Sequence, residues 1–287
     1  MLRSLAAILL IFATPALAAV DPAIFTDPPR DAQHPARMEV LHIPSGGVNI
    51  NGLAYIAAGA GPHPVMVLCH GLPGNEKNLD LAQAVRRAGW TVITFNYRGS
   101  WGSPGIYRFA HDLEDADAVL AYIRAPANTK ALNIDPQRVA LAGHSLGGWV
   151  TAMVAARHPE LRGAALISAS SLNMIGRLHR DSATQVFAEN GVEALAGTSP
   201  RAMAVEVIAA GDQFDFVAGA EALSAMPVLI VTSDDGLATM SAPLATAIGK
   251  FGKGRLHTVH LATDHSYSDA RIALADLLIG WLKALPR

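Results

Sequence analysis

A serine, two aspartates and a histidine stand where apolar runs of this chain end, and residues of these types can together open an acyl bond. The serine is Ser145, inside Gly143-His144-Ser145-Leu146-Gly147-Gly148. An apolar run, 138–143, precedes it and an Ala-rich one, 149–156, follows. The pattern predicts a strand, a sharp turn and a helix, with the serine at the apex and free helix N-terminal amides beside it. Side chains at 143 and 147 would collide across so tight a turn. A serine hydroxyl is a weak nucleophile at neutral pH. It needs a neutral imidazole to take its proton and a carboxylate to orient that imidazole.

Such groups meet in loops at the C-terminal ends of parallel strands. After the run 228–232 come Ser233-Asp234-Asp235-Gly236, and after 257–261 come Ala262-Thr263-Asp264-His265-Ser266. His265 is the expected base. Asp235 is preferred to Asp234 as its partner. Adjacent residues leaving a strand point in opposite directions, so only one can face His265, and the other forms the turn or caps a helix. His257 and His260 lie inside the last strand, and His144 is expected to pack or orient locally. The amide of Leu146, directly after the serine, is one donor for an oxyanion.

These residues need a sheet to hold them. Runs at 38–43, 48–57, 65–69, 91–95, 138–142, 163–168, 228–232 and 255–261 read as strands, the first two as a hairpin. Helical patterns fall at 76–88, 112–124, 146–157, 243–251 and 270–285. The alternation implies an α/β class with a mostly parallel, doubly wound sheet. It stops at 170–225, where helical pieces form either a small lid insertion or ordinary connecting helices. Apolar residues there include Leu172, Met174, Ile175, Phe187, Phe214 and Phe216. Residues 19–37, rich in Pro and Asp, read as a mobile lead-in to a domain at 38–285.

The order serine, acid, histidine and the His70-Gly71-Leu72-Pro73-Gly74 loop resemble the α/β-hydrolase superfamily over roughly residues 38–285, in the manner of esterases, lipases and dienelactone hydrolases. The resemblance implies the α/β-hydrolase fold, a Ser145-His265-Asp235 triad, and a second oxyanion amide at Leu72. It also gives Asn96-Tyr97-Arg98-Gly99 a place at the site floor, with Trp101 lining an acyl pocket or Arg98 stiffening the loop. The implied reaction is hydrolysis of a small-molecule carboxylic ester through an acyl-enzyme, with no cofactor. The same residues can cleave amides, so a peptidase or amidase is the second reading. A non-catalytic binding protein is the third, although no triad residue is missing.

Composition narrows the field. There are 22 Lys and Arg against 24 Asp and Glu, and no basic run, which gives no footing for nucleic acid. His257 and His260, an odd number of strand residues apart, face opposite sides of a sheet and make a poor metal pair. Neither a P-loop nor a dinucleotide fingerprint occurs. Cys69, the only cysteine, lies in an apolar run and reads as a core thiol. Residues 1–18 read as a signal peptide: Arg3, an apolar stretch at 5–13, Pro15, then Ala16-Leu17-Ala18. Export to a periplasm or the exterior follows, with no stable membrane insertion after processing. Cleavage leaves 269 of the 287 residues. Protein from a periplasmic extract should begin at Ala19 by intact mass; a full-length chain held in cytoplasm or membrane contradicts this expectation.

Overall fold

The apolar runs sort themselves by alternation. In β3 (His63–Cys69) every residue is buried. Val65, Val67 and Cys69 enter one core, while Met66 and Leu68 enter the other. A strand buried on both faces must be apolar throughout, which is why this run is continuous. The computed structural model describes residues 20–252 and 254–286. The expected signal peptide, 1–18, lies outside them.

One sheet of eight strands runs in the order β1-β2-β4-β3-β5-β6-β7-β8. The strands besides β3 are β1 (Arg37–Ser45), β2 (Val48–Ile56), β4 (Thr91–Phe95), β5 (Ile134–His144), β6 (Gly163–Ile167), β7 (Val228–Thr232) and β8 (Leu256–His260). β1 pairs β2, and β2 pairs β4, antiparallel; every later pairing is parallel. Helices α1 (Leu79–Arg87) and α10 (Arg271–Ala284) cover one face. The other face carries α2 (Phe109–Arg124), α3 (Pro126–Leu132), α4 (Leu146–Ala155) and α9 (Ala238–Lys250). The order β4-β3-β5-β6-β7 puts the C-terminal ends of five parallel strands side by side, with β3 and β5 central.

Local chemistry explains where the observed elements differ from those expected. α3 was not foreseen; Pro126 at its first position fixes φ for a helix start. α9 begins five residues before Pro243, which therefore sits inside the helix rather than at its head. Between β6 and β7 the chain forms α5 (Leu172–Gly176), α6 (Arg180–Ala188), α7 (Pro200–Ala210) and α8 (Ala220–Ser224) with short 3-10 turns. Ala183, Phe187, Met203, Ala204 and Val207 are buried among them. Within the lead-in, residues 21–24 contact the helices of one face. Asp21 N–H donates to Asp276 at 2.7 Å, and Arg87 donates to the carbonyls of Ala23 and Ile24.

The loop after β4 is held by a buried ion pair. Arg98 is 5% exposed and Asp115, on α2, is 0% exposed. The Arg98 amide and its Nε each donate to the Asp115 carboxylate at 2.7 Å. Glu114 also meets the guanidinium but is 61% exposed. Removing Asp115 leaves a buried cation without its partner. Asp115→Ala should therefore cost about 3–5 kcal/mol in urea unfolding, and Glu114→Ala under ~1 kcal/mol. Equal losses for the two would refute this account of the loop.

Candidate active site

Ser145 joins β5 to α4 with φ 58° and ψ −120°. That backbone region is costly for any residue with a side chain, so the surroundings must impose it. They do so by contact. A methyl group at Gly143 would sit 2.0 Å from the Gly147 carbonyl oxygen, and one at Gly147 would sit 2.1 Å from that of Cys69. Hydrogen bonds close the turn: Ser145 N–H donates to the Ile167 carbonyl at 2.9 Å, and the Ser145 carbonyl accepts from Gly148, Trp149 and Ser170.

The loops after β7 and β8 bring the next groups. His265 Nδ1 lies 2.7 Å from Asp235 Oδ2. A carboxylate only accepts, so Nδ1 carries the proton and Nε2 keeps its lone pair. Asp234 turns the other way, to His260 Nε2 at 3.0 Å, and is 63% exposed. The Asp235 side chain is 4% exposed. Burial would raise its pKa, but hydrogen bonds from His265, Ser168, the Leu237 amide and Ser233 outweigh this and hold it below the ordinary aspartate value. Ser168 also bonds Ser233 at 3.0 Å and the buried Tyr267 hydroxyl at 2.9 Å. Ser145 Oγ makes no side-chain hydrogen bond among the described residues. In a free enzyme such a contact is commonly loose and tightens with substrate.

Two further histidines, both buried, shape the site. His144 Nε2 donates to the His265 carbonyl at 2.8 Å, and its ring lies 4.5 Å from the His265 ring, inclined at 38°. Burial, then the neighbouring His265, pushes its pKa down to about 4, so it stays neutral beside the base. His70 Nδ1 donates to the Gly71 carbonyl at 2.7 Å. Burial also lowers this pKa to about 4, and Nε2 has no partner among the described residues. The C=O and N–H of a trans peptide point oppositely. Drawing the Gly71 carbonyl toward His70 therefore turns the Leu72 N–H away from it. Neither Leu72 N–H nor Leu146 N–H donates to a backbone carbonyl among the described residues outside helix and strand ladders.

Ser145, Asp235, His265, Leu72 and Leu146 line one cavity of about 200 Å³. The structure thus brings all the expected site residues together. Trp101 does not line it. Its Nε1–H instead donates to the Pro73 carbonyl at 2.7 Å, bracing the loop that carries Leu72. Arg98 serves the stiffening role described above. Sequence reasoning missed Ser168, Ser233 and Tyr267, although the first two follow β6 and β7 directly, where site groups gather. A more open hollow of about 580 Å³ beside the lead-in is lined by Asp27, Asp31 and three arginines and by no serine, cysteine or histidine. Cys69 is buried and its thiol is pushed up to about 12 by burial. Among the described residues no group of three or more His, Cys, Asp or Glu is arranged to hold a metal ion.

The family profile of the alpha/beta hydrolase fold matches residues 64–207, half of the chain. In structure the chain is similar to a thermostable carboxylesterase cloned from a metagenomic library, with TM-score 0.61 and 22% identity, covering 89% of this chain and 92% of that one. It is also similar to an esterase of Pyrobaculum calidifontis, with TM-score 0.66, 20% identity and 88% and 87% covered. An acylaminoacyl peptidase of Pyrococcus horikoshii gives TM-score 0.65 at 14% identity, with 86% of this chain covered but 41% of that one. At such identities these likenesses show the fold alone. In sequence, an uncharacterized protein of Mycobacterium tuberculosis is 30% identical over 149 residues; the match spans half of each chain.

The buried histidines make stability pH-dependent. Their folded pKa values near 4 lie below the ordinary value of 6.5. Between these limits the unfolded chain binds protons that the folded one refuses. Stability is therefore intact above pH 6.5 and falls as pH drops toward 4, by up to ~1.4 kcal/mol per pH unit per histidine. Urea midpoints at pH 7.5, 5.5 and 4.5 should show this slope, and His144→Gln should flatten about half of it. An unchanged slope in that variant would show that His144 accepts a proton in the fold.

Proposed function

The chain belongs to the α/β-hydrolase fold family, and on that footing we propose that it is a serine hydrolase of carboxylic esters. The observation that carries the reading is the Asp235–His265 contact of 2.7 Å in the cavity onto which the strained Ser145 opens. Ser145 Oγ attacks the ester carbonyl while His265 Nε2 takes its proton. Asp235 fixes the tautomer that leaves Nε2 free and stabilises the imidazolium that forms. The amides of Leu72 and Leu146 hold the oxyanion. His265 then returns the proton to the leaving alcohol. Water, deprotonated by the same nitrogen, releases the acid from Ser145. Because His144 stays neutral at working pH, no second positive charge opposes the imidazolium.

Two untested elements belong to the same reading. The helices of 170–225 act as a lid, since α5 and α6 supply cavity wall. Residues 1–18 direct export. The amidase alternative uses the same atoms, and the fold of the acylaminoacyl peptidase keeps it in view.

A fluorophosphonate should label the protein once, at Ser145, and Ser145→Ala should abolish labelling. Asp235→Asn should lower kcat by roughly 10⁴-fold, and Asp234→Asn by little. The reverse order would exchange the two aspartates. The p-nitrophenyl esters should be cleaved far faster than matched p-nitroanilides; preference for the anilides would make the protein an amidase.

A further inference from the structure

The walls of the Ser145 cavity divide by burial. Leu172, Ile175, Phe187 and Phe109 are all within 6% exposure and form its floor. The Phe109 and Phe187 rings pack against each other there, with centroids 5.3 Å apart. Val186, Leu237, Met240, Asn190 and Ser170 are more exposed and form the rim, so the polar groups of Asn190 and Ser170 lie there and not in the floor. Among the described residues, the lining side chains able to carry charge are Asp235 and His265, already paired to each other. The Asn190 amide is committed to the Val186 carbonyl at 2.7 Å. Nothing in the floor can balance a charged or strongly polar group.

The chemistry orients the substrate in this space. The leaving oxygen must reach His265, whose side chain is 39% exposed, so the alcohol lies toward solvent. The acyl chain then lies toward the floor. At ~30 Å³ per non-hydrogen atom, 200 Å³ holds about seven atoms. Three of them are the carbonyl carbon, the carbonyl oxygen and the leaving oxygen, which leaves about four further carbons of acyl chain. Building on the ester reading, we infer that this site takes esters of uncharged apolar acids of about four to six carbons, with Phe187 setting the upper limit.

Each methylene added before the floor is reached should raise kcat/KM by roughly fourfold, the value of one buried methylene. A longer chain must displace α6 or leave its end in water. A carboxylate at the chain end must be buried without a partner. The full-length protein is assayed with p-nitrophenyl acetate, butyrate, hexanoate, decanoate and hemisuccinate. In parallel, the rates at which butyl-, hexyl- and decylphosphonate p-nitrophenyl esters label Ser145 are measured. The expected result is a rise to butyrate or hexanoate and a fall of tenfold or more at decanoate. Hemisuccinate should fall a hundredfold or more below butyrate. Phe187→Leu should raise decanoate relative to butyrate.

Decanoate equal to hexanoate, or hemisuccinate equal to butyrate, overturns the inference while the ester reading stands. A Phe187→Leu ratio equal to the wild type removes Phe187 from the role. Labelling that peaks at butyl or hexyl, in a protein that turns over none of the esters, overturns the ester reading and leaves the chain limit in place.

Discussion

Everything at this site depends on how closely α4 approaches the ends of β3 and β5. A side chain at Gly147 would strike the carbonyl of Cys69, the last residue of β3, and one at Gly143 would strike the carbonyl of Gly147. This contact forces the Ser145 backbone to φ 58°. It also places the first amide of α4, that of Leu146, beside the loop that carries Leu72. One steric condition therefore sets both the proposed nucleophile and the two amides proposed to hold its oxyanion. The strain is spread around the site. Among the described residues six non-glycines have positive φ; two are asparagines, which tolerate it, and the others are Trp101, Ser145, Ser168 and Tyr267. Each of these four touches the machinery: Trp101 braces Pro73, and Ser168 and Tyr267 bond one another beneath Asp235.

Electrostatics completes what sterics begins. The Asp235 side chain is buried yet held ionised by hydrogen bonds, and His144, stacked on His265, is buried and held neutral. Had His144 titrated near the ordinary value, its charge would have opposed the imidazolium of His265. Burial removes that competition, at the cost of acid sensitivity. The same hydrogen bond that needs a proton on His144 Nε2 also pins the loop carrying His265.

The sequence was legible where periodicity and turn chemistry are strong. The continuous run of β3 and the Gly-His-Ser-Leu-Gly turn could each be read locally, because burial on both faces and a tight elbow permit few alternatives. Choosing Asp235 rested on strand alternation, and the geometry places Asp235 at His265 and Asp234 at His260. What could not be read is tertiary. Whether Trp101 faces the cavity or the Pro73 carbonyl depends on how two loops meet, and no local pattern encodes that. The start of α9 was hidden because Pro243 looks like a helix head, whereas packing of Ser241 and Leu244 carries the helix through it. The contact of the lead-in with α10 depends on Asp21 meeting Asp276 and Lys283, more than two hundred residues away.

The helices of 170–225 meet the site through the same loop that Arg98 holds. The Ala196 amide donates to the Gly99 carbonyl at 2.7 Å, and the Tyr107 amide donates to the Ala196 carbonyl at 3.0 Å. Trp101, between these points in sequence, donates to Pro73. The Arg98–Asp115 pair anchors this stretch to α2 and thus to the core. The cavity floor, the oxyanion loop and the helical block therefore share one rigid attachment. A block fastened in that way can vary its inward side chains without disturbing the amides of Leu72 and Leu146. On the proposed reading, that separation lets acyl selectivity reside in α5 and α6 while the chemistry stays with the strand ends.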